Sequence, residues 1–297
     1  MVYRSTRPGI RCGMCVSRIR GSAAVDMNAI PALAIDRIEV LRDGASSQYG
    51  SDAIAGVINI RLKKASEGGR ASISYGKYDT TISGVANVTG LALTGGAPSL
   101  DPTDNRYFLA NTDGERKARD GESYSIATNI GLPFFGVEDG YVNFTAEYRR
   151  RGYTNRQGYD LRPNYIRPTA TTFDPREITF NRLQFRFGDP KADDFILFAN
   201  MGLPIGDSLE LYGFASYNQR DSLSAANYRQ ANAAANRDWS AITPSTSPSN
   251  ANFVALTPDG FLPFIQSDLT DRAATMGVRT TAGEWNADAS LTWGQNN

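Results

Sequence analysis

Hydrophobic and polar positions follow two different patterns along this chain. Up to Lys64, short apolar clusters are broken by turn residues. Beyond Lys64, apolar and polar positions alternate one by one. Strict alternation in extended backbone gives one apolar and one polar face, the signature of a half-buried strand. Ala71–Tyr78 sets Ala71, Ile73 and Tyr75 against Ser72, Ser74 and Gly76. Tyr124–Phe134 aligns Tyr124, Ile126, Ile130 and Leu132, with Thr128 as the one break. Tyr141–Arg151 places Val142, Phe144, Ala146 and Tyr148 opposite Asn143, Thr145, Glu147, Arg149 and Arg151. Phe195–Leu203 alternates from Phe195 through Leu197, Ala199 and Met201. Leu209–Tyr217 alternates less cleanly, because Tyr212 and Phe214 oppose Leu209 and Leu211. These segments, with one near the end of the chain, predict five or six antiparallel strands.

The last segment, Glu284–Gly294, is the clearest. Trp285, Ala287, Ala289, Leu291 and Trp293 share one face, and Asn286, Asp288, Ser290 and Thr292 the other. Eight strand steps separate the two tryptophans by roughly 26 Å along the strand. Tilted by about 40°, that is about 20 Å vertically, close to the ~25 Å apolar band of an outer-membrane barrel wall. Trp285 and Trp293 are therefore candidates for two aromatic girdles. A soluble sandwich would carry more Val, Ile and Leu between them than Ala-x-Ala.

Connections alternate in length. Asn129–Gly140 and Asn200–Ser208 both read as strand end, Gly-Leu-Pro and a Gly/Asp turn, since proline ends a ladder and glycine supplies turn geometry. Asp79–Gly121, Gly152–Asp194 and Gln219–Gly283 are long and rich in Asn, Asp, Thr, Pro and Arg. Alternation in Asp79–Leu93 leaves room for the first hairpin to extend into its loop. Short turns at one end and long loops at the other is the asymmetry of outer-membrane barrels.

The segment IDRIEVLRDGASSQYGSDAIAGVINIRLKK (Ile35–Lys64) reads as strand, Asp43-Gly44 turn, a short helical turn, a second turn and the strand Val57–Ile60. It resembles the end of the plug domain of TonB-dependent outer-membrane receptors. Glu39, Arg42, Gly44, Tyr49, Gly50, Ala53, Gly56 and Asn59 stand at family positions, and RGSAAVDMNAIP from Arg20 resembles the plug segment just before. The glycines do not stand in a phosphate-cradling order. The resemblance implies a 22-strand barrel with the plug folded inside, and active import of a siderophore, haem, cobalamin or oligosaccharide, driven through the TonB complex. It implies a transporter, not an enzyme, with no resident cofactor.

On this reading the chain is mostly β. Residues 1–19 are unassigned, residues 20–64 form the C-terminal part of an α/β plug, and residues 65–297 form the first five or six strands of a partial transmembrane β-barrel with long extracellular loops. The basic segment Met1–Ile19 lacks an apolar secretory core and reads as a mistranslated start, with a functional basic tail as the alternative; the whole reads as a receptor fragment of the Gram-negative outer membrane. Glu39 and Arg42 would need ionic partners inside a barrel. Glu147 and Arg149, on the expected lumen face, are the candidates. Gly44, Gly50 and Gly56 allow turns with positive φ, and Tyr49 and Asn59 complete the motif. Polar contacts and water, rather than an apolar core, are expected to hold the plug.

Composition trims the alternatives. The formal charge is zero, with 31 basic and 31 acidic side chains, which gives no basic excess for nucleic acid. No apolar run is long enough for a membrane helix. With no histidine, His-based triads and metal sites fall away. Cys12-Gly-Met-Cys15 has redox or half-zinc spacing, but the chain holds only two cysteines and no histidine to complete a zinc site. Asp189, Asp193 and Asp194 offer oxygen ligands without an EF-hand order. Arg149-Arg150-Arg151, with Arg156, Arg162, Tyr148, Tyr153, Tyr159 and Tyr165, offers a ligand-stacking patch or a solvated strand top above a girdle. A porin would lack Ile35–Lys64. A β-rich hydrolase using two carboxylates is open on spacing alone. A soluble β-sandwich that binds carbohydrate is the principal alternative, and it explains neither the loop asymmetry nor the plug-like segment.

Overall fold

A computed structural model describes residues 29–42, 57–91, 93–94, 97–98, 109–134, 136–166, 174–236 and 255–297. The dominant unit is a seven-stranded antiparallel sheet in the order β11-β10-β9-β8-β7-β6-β3. Its strands are β3 (Gly69–Leu91), β6 (Leu109–Pro133), β7 (Tyr141–Arg151), β8 (Lys191–Ile205), β9 (Leu209–Ala225), β10 (Phe264–Ala282) and β11 (Trp285–Asn296). Each pairs with its neighbour in this sequence, as an up-and-down wall requires. The two-residue strands β4 (Leu93–Thr94) and β5 (Ala97–Pro98) pair beyond β3. A separate antiparallel pair, β1 (Ile35–Leu41) and β2 (Val57–Leu62), follows a short 3-10 turn at Ala32–Ala34.

Seven strands replace the expected five or six. The additional one is β10, which lies inside the segment read as the loop Gln219–Gly283. Its outward positions include Gln266, Asp268, Thr270 and Arg272 before reaching Ala274, Met276 and Val278, so half its length carries no apolar alternation. The loop Asp79–Gly121 shrinks for the same reason. β3 runs 23 residues and β6 25 residues, against about 9–11 for a strand that only crosses a bilayer. In Glu115–Glu122 of β6 polar residues stand on both faces apart from Ala118 and Gly121, so the period-two signal fades where that strand continues. The proposed extension of the first hairpin into Asp79–Leu93 is present in β3.

Register sorts the side chains. Paired residues of antiparallel strands share a face. One continuous row runs Ile130–Phe144–Ala199–Ala215–Ala274–Trp293 and another Leu132–Val142–Met201–Gly213–Met276–Leu291. Ile73, Ile126, Ile130, Met276 and Leu291 are exposed on that face. The opposite face carries Asn129, Asn143, Thr145, Glu147, Asp194, Asn218 and Thr275, all buried. This is an inside-out sheet, with carbon outward and polar atoms inward.

The outer aromatic residues form a slanted row of Tyr75, Tyr124, Tyr148, Phe195, Tyr217 and Trp293. Tyr75 packs on Tyr124 with ring centroids 5.2 Å apart, and Phe195 on Tyr217 at 6.3 Å. The row drifts toward the short-turn end by up to two positions per strand, as level residues do on tilted strands. Trp285 lies on the same outer face beside the β10–β11 turn. That turn needs only Gly283 and Glu284, and Gly283 adopts φ +60°, a conformation glycine enters without steric cost.

The β1–β2 pair packs on the inner face. Ile30, Ala34 and Ile60 form the main apolar cluster with Phe198 of β8 and Phe214 of β9, with Ile35, Ile58 and Leu62 at its edge. The expectation that polar contacts alone hold this element is corrected here. Phe198 and Phe214 are inward on an otherwise polar face, and β1–β2 covers them.

Candidate functional site

The site where this architecture can act is the contact between β1–β2 and the inner wall. Glu39 and Asn59 are register partners on β1 and β2. Glu39 accepts hydrogen bonds from Asn59 Nδ2 at 2.6 Å, Arg37 Nε at 2.9 Å and Arg61 Nε at 3.3 Å. The Arg37 bond above all, with those of Asn59 and Arg61, holds the Glu39 carboxyl below the ordinary carboxylate range against the opposing effect of desolvation. Its described partners thus lie within the pair itself and not on the wall charges Glu147 and Arg149. Adjacent strands offer partners at fixed short range, and the wall does not. Arg42 lies just beyond the end of β1 and is exposed. Gly44, Tyr49, Gly50, Ala53 and Gly56, and likewise Cys12 and Cys15, lie outside the described residues.

The wall beneath has its own ionic ladder. Asp194 is fully buried and accepts from Arg149 Nε at 3.1 Å and from Arg220 Nε on the next strand, with Arg151 at 3.9 Å. Arg149 also meets Glu147 at 3.5 Å. Register brings them together, since Arg149, Asp194 and Arg220 are direct cross-strand partners. Burying such charges without partners would cost several kcal/mol each, on the order of what a lost buried pair costs.

The chain leaving β2 is tied to this wall by backbone. Asn200 Nδ2 donates to Lys63 O at 2.8 Å, Asn143 Nδ2 to Ala65 O at 3.5 Å, and Gly131 N to Gly68 O at 2.9 Å. A Cβ on Gly131 would stand 2.5 Å from Ala65 O, so only glycine admits the strap there. Asn143 is itself oriented by Asn129, whose Nδ2 donates to Asn143 Oδ1 at 2.6 Å and to Thr145 Oγ1 at 2.8 Å. Three inward amides thus form the seat of the strap.

The other sequence candidates disperse. Asp193 and Asp194 are consecutive on β8 and point to opposite faces. Asp193 meets Arg150 and Lys191 outside, while Asp189 is exposed beside Thr154. The three carboxylates therefore do not converge on a cation. The run Arg149-Arg150-Arg151 splits the same way, with Arg150 outward. Arg156 pairs with Asp120 at 2.8 Å and Arg162 with Asp160 at 2.9 Å. Tyr148 faces out, Tyr153 lies under the Arg186 guanidinium at 3.9 Å, and Tyr165 is buried. No single stacking patch results.

A network that alternation did not indicate joins the two long loops. Glu177 accepts from the backbone N–H of Asn164 at 2.7 Å and of Tyr165 at 2.8 Å, and from Arg182 at 2.6 Å. Arg182 also donates to the carbonyls of Asp160, Arg162 and Glu177. All of this lies in the β7–β8 loop. Asn164, fully buried, donates to Asp259 O at 3.0 Å and accepts from Ala231 N at 3.2 Å, both in the β9–β10 loop. Tyr165 OH donates to Asp259 Oδ1 at 2.5 Å, and Gln230 to Pro163 O at 2.8 Å. Tyr228 donates to Asp259 O and packs against Phe180 and Phe185. One local signal could have pointed here: Asp174-Pro175 is a helix-start dipeptide, and Asp174 caps the 3-10 turn Pro175–Ile178.

Residues 8–57 match the family model described as the TonB-dependent receptor plug domain. The match starts ahead of the expected onset at Arg20, inside the segment read as unassigned, and ends at the first residue of β2. Among solved structures, the chain is similar to a mutant of the ferric enterobactin receptor of Pseudomonas aeruginosa, at 14% identity and a TM-score of 0.43, over 91% of this chain and 37% of that one. The chain thus spans little more than a third of that receptor's length.

Proposed function

We propose that this chain, whose residues 8–57 match the plug-domain family model of TonB-dependent receptors, forms plug and wall of an outer-membrane importer for a scarce ligand. The ligand classes in view are siderophores, cobalamin and oligosaccharides. The inside-out sheet carries this reading: an apolar outer face with an aromatic row, and a polar inner face on which β1–β2 is seated. A soluble sandwich would bury the face carrying Ile73, Met276 and Leu291 and leave Thr145 and Asp194 wet, which is the reverse of what is seen. The short-turn end would face the periplasm, and the loop network the exterior.

In such an importer the plug must yield without the wall unfolding. Glu39, Asn59 and Arg61 keep β1–β2 coherent as a unit, while Lys63, Ala65 and Gly68 moor its exit to β6, β7 and β8. Phe198 and Phe214 supply an apolar seat, and the surrounding amides a polar rim. The TonB complex would be the inner-membrane partner and outer-membrane lipid the solvent of the outer face. The chemistry is binding and displacement, with no bond made or broken.

The test is ligand uptake by cells expressing the receptor that contains this chain, with and without an intact TonB complex. Accumulation of a radiolabelled siderophore, cobalamin or oligosaccharide that depends on TonB is expected for one ligand class. Recovery of the chain in the soluble fraction, or TonB-independent uptake of every ligand, would sink the proposal.

A further inference from the structure

The bonds that cross between the two large loops at the long-loop end raise a separate question, whether these loops are independent. We infer that residues 152–166 and 174–190 of the β7–β8 loop and residues 226–236 and 255–263 of the β9–β10 loop form one cooperative body that opens and closes as a unit. Two independent loops would meet through exposed side chains with water between them. Here the junction is interior. Asn164 has no exposed surface and uses its side-chain N–H, its side-chain oxygen and its backbone carbonyl on Asp259, Ala231 and Asn232 of the other loop. Its backbone N–H is held by Glu177, itself buried and locked by Arg182. Asn236 does the equivalent work within the second loop, closing it on Ala231 and Thr257.

The consequence follows from satisfaction. Separating the loops would strand the Asn164 amide and the Tyr165 hydroxyl at once, in a site where Tyr165 and Tyr228 are also buried among aromatic rings. Buried polar groups left without partners are costly, and such networks break together rather than bond by bond. A ligand that displaces one loop must therefore displace the other. The first loop springs from β7 and β8 and the second from β9 and β10, so the coupled body bridges four neighbouring strands. This inference concerns motion and holds whichever ligand the receptor takes.

Hydrogen–deuterium exchange on the assembled receptor that contains this chain, in detergent, tests it. Asn164→Ala is expected to speed exchange about ten-fold, the scale of one lost buried hydrogen bond, in residues 160–166 and in residues 228–236 and 256–261 alike. Amides of β8 and β9 should be unchanged. Gln230→Ala, a milder change made from the opposite loop, is expected to speed exchange in residues 160–166 by a smaller factor. Tyr165→Phe, which removes only a hydroxyl, should act on residues 256–261. Acceleration confined to the loop that carries each substitution would overturn the inference. Should Asn164→Ala disturb the strands as well, the reciprocal pair Gln230→Ala and Tyr165→Phe decides the matter in the same way.

Discussion

At the scale of single residues, buried hydroxyls and amides set the terms. Tyr165 and Tyr228 sit in the loop network, and burial pushes each phenol up to about 12. Asp259 reinforces the shift in both, by hydrogen bond and charge for Tyr165 and by charge for Tyr228. The sign of the pH effect follows from linkage. An unfolded tyrosine releases its proton near pH 10 and the folded one only near 12. The stabilisation is therefore whole below about pH 10 and is lost as pH rises through the folded value. Raising the pH from 9 to about 12 should loosen residues 160–166 and 226–236 while the strands persist, with tyrosinate absorbance rising late for these two groups. Full ionisation of every tyrosine near pH 10, with loop protection intact, would contradict the burial described. Glu39 behaves oppositely. Its lowered value means that its contribution to the β1–β2 pair is present above the ordinary carboxylate range and fades as pH falls.

At the scale of elements, what the sequence made legible depended on where each strand runs. Tyr141–Arg151 was readable to the residue, because apolar side chains hold one face and polar side chains the other along nearly its whole length. β11 was readable for the same reason, although all twelve of its residues are exposed. β10 and the outer half of β6 were not, because polar residues on both faces erase the period. The loop network was illegible because its chemistry depends on tertiary convergence: Asn164 and Asp259 are 95 positions apart. For the plug-like motif, the sequence brought Glu39 and Asn59 to attention, and register makes them partners. It did not disclose that Phe198 and Phe214, hidden in alternating strands, form the seat. The facing of β11 is open to a direct test. Ala289 lies outward beside Val278, and Ser290 inward beside Gly277. In the assembled receptor, Ala289→Arg is expected to cost about 2–4 kcal/mol near the midplane of the bilayer, and Ser290→Arg much less. Chemical denaturation of both variants measures the difference. Equal tolerance would mean that β11 does not present these faces to lipid and lumen.

At the scale of the whole molecule, the described sheet has two edges. β3 pairs only with β6, and β11 only with β10. Each edge presents a row of backbone N–H and C=O groups along 23 residues in β3 and 12 in β11. In hydrocarbon each unsatisfied group costs several kcal/mol, which is why membrane sheets close on themselves. In water such edges pair with other chains, and here they border a face that exposes Ile73, Leu291 and Trp293. Both environments therefore drive the same outcome for the 297-residue chain taken by itself: its edges find strands from other copies. Refolded in detergent, it is expected to elute as self-associated species whose size grows with concentration, and to lack the heat-modifiable gel migration of a closed barrel. Strand addition in trans, using a peptide that spans Trp285–Asn296, should reduce that association by occupying an edge. A monomer with a single cooperative melt and heat-modifiable migration would show that β3 and β11 satisfy each other, and that the sheet curls far enough for these seven strands to close around the β1–β2 pair.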